Sequence, residues 1–133
     1  MKLRFAALAA LLVLAVVAAP AGAALPGKGT YKGETSQGLS VTIKVNKAQK
    51  IKSLKFLVKN DCGATKKPID VNGPFTVKEN GKFSARLQSS AGTLNFSGRF
   101  RKKGKVTGRV RERTEDFLLG KCDTGKVTFT AKR

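Results

Sequence analysis

Leu94-Asn95-Phe96-Ser97-Gly98-Arg99-Phe100-Arg101-Lys102-Lys103-Gly104-Lys105-Val106-Thr107-Gly108-Arg109-Val110-Arg111 is the stretch that decides the fold. Leu94, Phe96, Gly98 and Phe100 alternate with Asn95, Ser97, Arg99 and Arg101, and Val106, Gly108 and Val110 alternate with Thr107, Arg109 and Arg111. A period of two marks strands with one buried and one wet face, the antiparallel habit. Between the halves lies Lys102-Lys103-Gly104, an x-x-Gly loop. Three loop residues with glycine in the left-handed position make a type I turn and a G1 bulge. The halves therefore read as a hairpin with Phe100 opposite Val106 and Phe96 opposite Val110.

The pattern continues in both directions. Ser36-Gln37-Gly38 is a second x-x-Gly loop and sets Tyr31 opposite Ile43. A four-residue loop, 47–50, sets Ile43 opposite Leu54 and Val41 opposite Phe56. Glu79-Asn80-Gly81 is the third x-x-Gly loop. Read as three residues it sets Val77 opposite Phe83 and Phe75 opposite Ala85. A two-residue Asn-Gly turn would mix the faces, because one slip of register moves every side chain to the other side. Val127 and Phe129 close the series. The expected fold is all-β, an antiparallel meander of about eight short strands forming a small barrel or a sandwich. Val41, Phe83, Phe96, Phe100, Val106 and Val110 are the expected core. Two longer connections, 59–68 and 115–124, each contain a cysteine. The apolar triplet Phe117-Leu118-Leu119 in the second is expected to plug the barrel end.

The beginning of the chain reads differently. Lys2 and Arg4 precede an unbroken apolar run over 6–19, then Pro20 and the small-x-small site Ala21-Gly22-Ala23. That is a signal-peptide pattern, too short to span a bilayer, with a cut expected after Ala23 or Ala24. No cysteine near the cut supports lipoprotein processing, and Arg4 lacks the second arginine of a twin-arginine signal. The expected organisation is a signal peptide over 1–23, a short linker over 24–28 and a single β domain over 29–133, with no transmembrane span in the mature chain. The chain has 27 Lys and Arg against 8 Asp and Glu. Two of the bases and none of the acids lie in the leader, leaving 25 against 8, a net of +17. In an exported chain two cysteines most simply pair, so Cys62 and Cys122 are expected to form a disulfide. Closing so long a loop is worth roughly 4 kcal/mol in the chain-entropy model.

Much chemistry is excluded. The chain has no histidine, which removes Ser-His-Asp and Cys-His catalysis and the commonest zinc ligand. No P-loop and no G-x-G-x-x-G occurs. No catalytic residue, metal site or cofactor is expected, and the domain does not read as an enzyme. Glu115-Asp116 reads as a solvated loop pair. Asp61 and Asp123 sit beside the cysteines and are expected to cap turns rather than hold calcium. Glu112 falls on the inward phase opposite Leu94, near a strand end that is expected to twist out into solvent.

What remains is charge. Arg99, Arg101, Lys105, Arg109, Arg111 and Arg113 share one strand face, with Arg101 opposite Lys105. Like charges in direct opposition destabilise a sheet, and an anion relieves them. The arginine fork suits phosphate and carboxylate. The aromatic residues of the clear strands point inward, so stacking of bases is not expected and nucleic-acid binding would be electrostatic and sequence-blind. The expected partner is an anionic envelope polymer or lipid headgroup. A protein-interaction module using a sheet edge, and a lipocalin-like carrier of an apolar ligand, are the alternatives. Nothing in the sequence sets an oligomeric state.

Two segments carry a resemblance. Gly29-Thr30-Tyr31-Lys32-Gly33-Glu34-Thr35-Ser36-Gln37-Gly38 resembles the G-x-Y-x-G-x-T-S-Q-G opening of a group of small exported bacterial proteins. Cys122-Asp123-Thr124-Gly125-Lys126-Val127-Thr128-Phe129-Thr130-Ala131 resembles their C-x-[ST]-G close and final strand. The resemblance implies a bacterial, exported, β-rich, disulfide-bonded domain and implies no activity.

Overall fold

The computed structural model describes residues 24–133 except residue 64, and the expected signal peptide over 1–23 lies outside the described residues. Nine strands follow in chain order: β1 (Gly29–Thr35), β2 (Ser40–Val45), β3 (Ile51–Val58), β4 (Lys67–Phe75), β5 (Lys82–Ser89), β6 (Gly92–Arg101), β7 (Lys105–Asp116), β8 (Gly120–Asp123) and β9 (Val127–Lys132). Eight of them form one antiparallel sheet in the order β4-β3-β2-β1-β9-β7-β6-β5, and β8 adds to β7 outside this path. The sheet curls into a nearly closed barrel. Its seam is the pair of outer strands, β4 and β5, between which no ladder forms.

The local hairpins have the registers that alternation dictates. Tyr31 faces Ile43, Ile43 faces Leu54, Val41 faces Phe56, Phe100 faces Val106 and Phe96 faces Val110. The six expected core residues are all buried. Rings fill the interior: Phe75 packs edge-on against Phe96 at 5.2 Å, Phe83 lies near both Phe96 and Phe100, and Tyr31 meets Phe100 at 5.2 Å. The Tyr31 hydroxyl, buried with its ring, donates to the Gly27 carbonyl at 2.9 Å, so the residues before β1 lie against this end. Gly98 and Gly108 face each other across β6 and β7. A Cβ on Gly98 would stand 2.5 Å from the Phe83 ring, and one on Gly108 2.6 Å from the Phe129 ring. The two glycines give their interior space to those rings.

Four local expectations need correction. The loop after β2 is closed by Asn46 N–H donating to Lys50 O at 3.0 Å, which leaves residues 47–49 as the turn, with Gln49 at φ 58°. A bulge that skips Lys52 restores the register, so the pairings hold although the four-residue loop does not. The 79–81 turn forms, with Lys78 N–H donating to Lys82 O at 2.9 Å, but its arms then part. Phe75 stands opposite Ile51 rather than Ala85. Pro68 and Pro74 remove two amide donors from β4, which suits it to an edge. In the 102–104 turn Lys103 as well as Gly104 is left-handed, at φ 64° and 65°. Finally, residues 115–124 are not a loose connection. β7 is laddered to β6 on one side and β8 on the other, which carries the chain past the barrel before it turns. Phe117, Leu118 and Leu119 form that hairpin's tip, 101%, 87% and 63% exposed, and plug nothing.

Candidate anion-binding face

β7 is the organising strand. Its first half, 105–110, pairs with β9 and its second half, 113–116, with β8. The chain passes from β8 to β9 at a corner opposite Arg111 and Glu112, where Thr124 N–H donates to Glu112 O and Glu112 N–H to Thr124 Oγ1, both at 3.0 Å. Asp123 ties this corner. Its Oδ1 accepts from Gly125 N–H at 2.7 Å, as a turn cap does. Arg111 donates to it through both arms of its fork, Nε to Oδ1 at 3.0 Å and Nη2 to Oδ2 at 2.7 Å. Arg113 Nε adds an ion pair at 3.4 Å. The Arg111 fork, helped by the Gly125 amide and the nearby Arg113 charge, holds the Asp123 carboxyl well below the usual carboxylate range against a smaller desolvation effect. The same hydrogen bonds raise the pKa of Arg111.

The disulfide stands beside this corner. Cys62 and Cys122 are bonded, with Cα atoms 5.4 Å apart. Asp61 comes with it: Asp61 N–H donates to Asp123 O at 3.0 Å, and Asp123 N–H donates to Asp61 Oδ1 at 2.7 Å. The two aspartates meet as a hydrogen-bonded clip, not as two carboxylates converging on a cation. Asp61 also lies within 4.8 Å of both sulfurs, but bonded sulfurs offer no thiolate to a metal. Gln37 anchors the other end of this loop, with its amide donating to Lys59 O at 2.8 Å and accepting from Lys59 N–H at 2.9 Å.

Glu112 does face inward opposite Leu94, and it is not wet. Its side chain is 14% exposed and lies 3.0 Å from the Lys67 ammonium of β4. Lys67 balances the carboxylate by charge rather than by an aligned hydrogen bond, since Oε1 is enclosed and makes none of good geometry. The residue joins β7 to β4 at the far end of the seam.

The six basic residues singled out in the sequence divide into two groups. Arg111 and Arg113 are occupied by Asp123. Arg99, Arg101 and Arg109 line a groove of about 730 Å³ on the outer face of β5, β6, β7 and β9, and Lys105 stands opposite Arg101 at its end. Lys78, Lys82 and Lys126 join them there, while Ser84, Ser97, Thr107, Thr128 and Thr130 supply hydroxyls. No acidic residue among the described residues lines this groove. A second hollow of about 600 Å³ continues it through Ser84, Ser97, Arg109 and Lys126 toward Arg86, Arg111 and Arg113. Lys82 stands directly opposite Arg99, a like-charge pair in the ladder. The Arg99 Nε is enclosed and without a hydrogen-bond partner.

Lys78, Lys82 and Lys126 are additions that sequence reading missed. Lys82 begins a strand on the far side of a turn, and Lys126 reaches the groove only because β9 pairs with β7. Among the described residues no helix is long and apolar enough to cross a membrane. No protein-family model matches the chain, and no curated protein and no solved structure is detectably similar to it.

Proposed function

We propose that this is an exported, non-enzymatic binding domain that holds anionic envelope polymers on the outer face of β5, β6, β7 and β9. The observation that carries the reading is the groove lined by Arg99, Arg101, Arg109, Lys82 and Lys126, with no acidic residue in its lining among the described residues. Lys82 and Arg99 oppose each other there, and the enclosed Arg99 Nε lacks a partner. A bound anion satisfies both conditions at once. Export is supported by the leader pattern and by the disulfide. The ring-filled interior favours a surface function over a carrier.

The test is retention of the mature domain on an immobilised polyanion against a salt gradient. Binding should weaken steeply with salt as counterions are released. Arg99→Gln with Arg109→Gln should weaken binding and lower the salt slope by about two. Arg111→Gln with Arg113→Gln removes as much charge but from residues already paired with Asp123, and should cost far less. Equal losses in the two doubles would mean that net charge alone matters and that the groove is no site.

A further inference from the structure

We infer that the polymer is a flexible phosphodiester thread, and that it lies crosswise on a rung of four cations running around the barrel; this rests on the polyanion reading above. Strand pairing builds the rung. Arg101 on β6 stands opposite Lys105 on β7, Lys105 opposite Lys132 on β9, and Lys132 opposite Lys32 on β1. These are four consecutive strands of the sheet, and all four side chains are exposed. At the usual strand spacing the rung spans about 14 Å.

Both ends of the rung are defined. Beyond Lys32 comes Thr42, and the next cation, Lys55, is paired with Asp70 at 3.8 Å. Beyond Arg101 the β5 ladder has already given way to the turn, since Lys82 pairs with Arg99. Within the rung no carboxylate separates the charges. The adjoining outward rung runs Lys82, Arg99, Thr107, Thr130 and Glu34, so its carboxylate stands at the β1 end alone. Each of the two middle lysines therefore has a cation directly opposite on both sides, an arrangement that destabilises a sheet.

The geometry selects the ligand. The rung follows the curve of the barrel through four strands, so a flat lipid surface cannot touch all of it, whereas a flexible thread can. Three of its four members are lysine, a compact point charge that binds phosphate without the planar two-armed geometry an arginine fork matches in carboxylate and phosphate alike. No outward ring among the described residues of these strands offers a platform for a base or a sugar. A chain of phosphates joined by small polyols meets these conditions.

The test uses the mature, disulfide-bonded domain and oligo(glycerol phosphate) of increasing length, with inorganic phosphate, a single-stranded oligonucleotide and oligogalacturonate for comparison. Affinity should climb most steeply up to about four phosphates, one for each cation of the rung, with a smaller gain beyond that from the groove of Arg99 and Arg109 beside it. Lys105→Gln and Lys132→Gln should each weaken binding about fivefold and lower the salt slope by about one. Each should also raise the thermal midpoint of the unliganded domain at low salt, and shrink the further rise produced by the polymer. The oligonucleotide, sharing the phosphodiester, should bind without base preference. If Lys32→Gln, Lys105→Gln and Lys132→Gln bind as the wild type does while Arg99→Gln with Arg109→Gln loses binding, the rung is overturned and the groove stands. If oligogalacturonate of equal charge binds as well, the phosphate assignment is overturned. If the wild type holds none of these threads, the proposed function falls together with the rung.

Discussion

Phe96→Ala is the sharpest probe of the barrel interior. Phe96 is 2% exposed and lies between Ala85 and Val110 in the ladders of β5 and β7. Its ring touches Phe75 edge-on at 5.2 Å and lies 6.5 Å from Phe83. Removing a buried phenyl costs about 3–5 kcal/mol through lost transfer energy and the cavity left behind. The site has little means of collapsing, since its neighbours are held by strands on both sides. Loss of the Phe75 contact adds about 1 kcal/mol, the usual worth of an aromatic pair beyond its area. The expected cost is therefore about 4–6 kcal/mol, at least about a quarter of what a domain this size has in hand. Urea unfolding of the oxidised domain over residues 24–133 reads it directly, as a midpoint lowered by about 2 M with the slope unchanged. Phe117→Ser is the matched control, because that ring is fully exposed and its loss should stay within about 0.5 kcal/mol. A cost below about 1 kcal/mol for Phe96→Ala would refute the inward phase of β6, and with it the outward phase of Arg99 and Arg101.

Three further outcomes are expected. The native domain should show no thiol to a labelling reagent, and Cys62→Ser with Cys122→Ser should lower stability by about 4 kcal/mol, the entropy of a loop of this length. Asp123→Asn should destabilise at neutral pH. Because the folded carboxyl titrates below its unfolded value of about 3.9, the difference from wild type should be complete above about pH 5 and fade as pH falls below about 4; a difference that persists unchanged at pH 2 would contradict the Arg111 pairing. Gly108→Ala should cost about 1–3 kcal/mol or prevent folding, since the added carbon meets the Ser97 carbonyl as well as the Phe129 ring, and a neutral result would mean that β6 and β7 are not pressed together there.

The strands and hairpins were legible because their cause is local. Alternation fixes which side of β6 and β7 is buried, and an x-x-Gly loop fixes how the two meet, all within a few residues. The misses share another cause. Gln49 takes a left-handed turn position without being glycine, so no signal marked the 47–49 turn. The parting of β4 from β5 depends on closure of the whole sheet, which a hairpin rule does not contain. Pairing of β9 with β1 and β7 joins distant segments, and only that pairing brings Lys132 between Lys105 and Lys32. The basic strand face was visible as a pattern, but Asp123 lies across the β8–β9 corner, so its claim on Arg111 and Arg113 was not. Phe117-Leu118-Leu119 read as a plug for the barrel end because apolar side chains usually find cover; the ladder that carries it outward begins in β7, well before the triplet.

The seam between β4 and β5 is a slit fastened at both ends. At one end the chain itself crosses it through the 79–81 turn. At the other, the loop leading into β4 is bonded through Cys62 to Cys122 on β8, which is laddered to β7 on the far side of β5 and β6. Oxidised, the slit can only bow at its middle, and amide exchange along the free edges of β4 and β5 should report small local openings. Reduced, that end keeps only the Asp61–Asp123 hydrogen bonds and the Lys67–Glu112 pair, and exchange along the β4 edge should quicken. The oxidation state of one bond thus sets how firmly that end of the barrel is held shut.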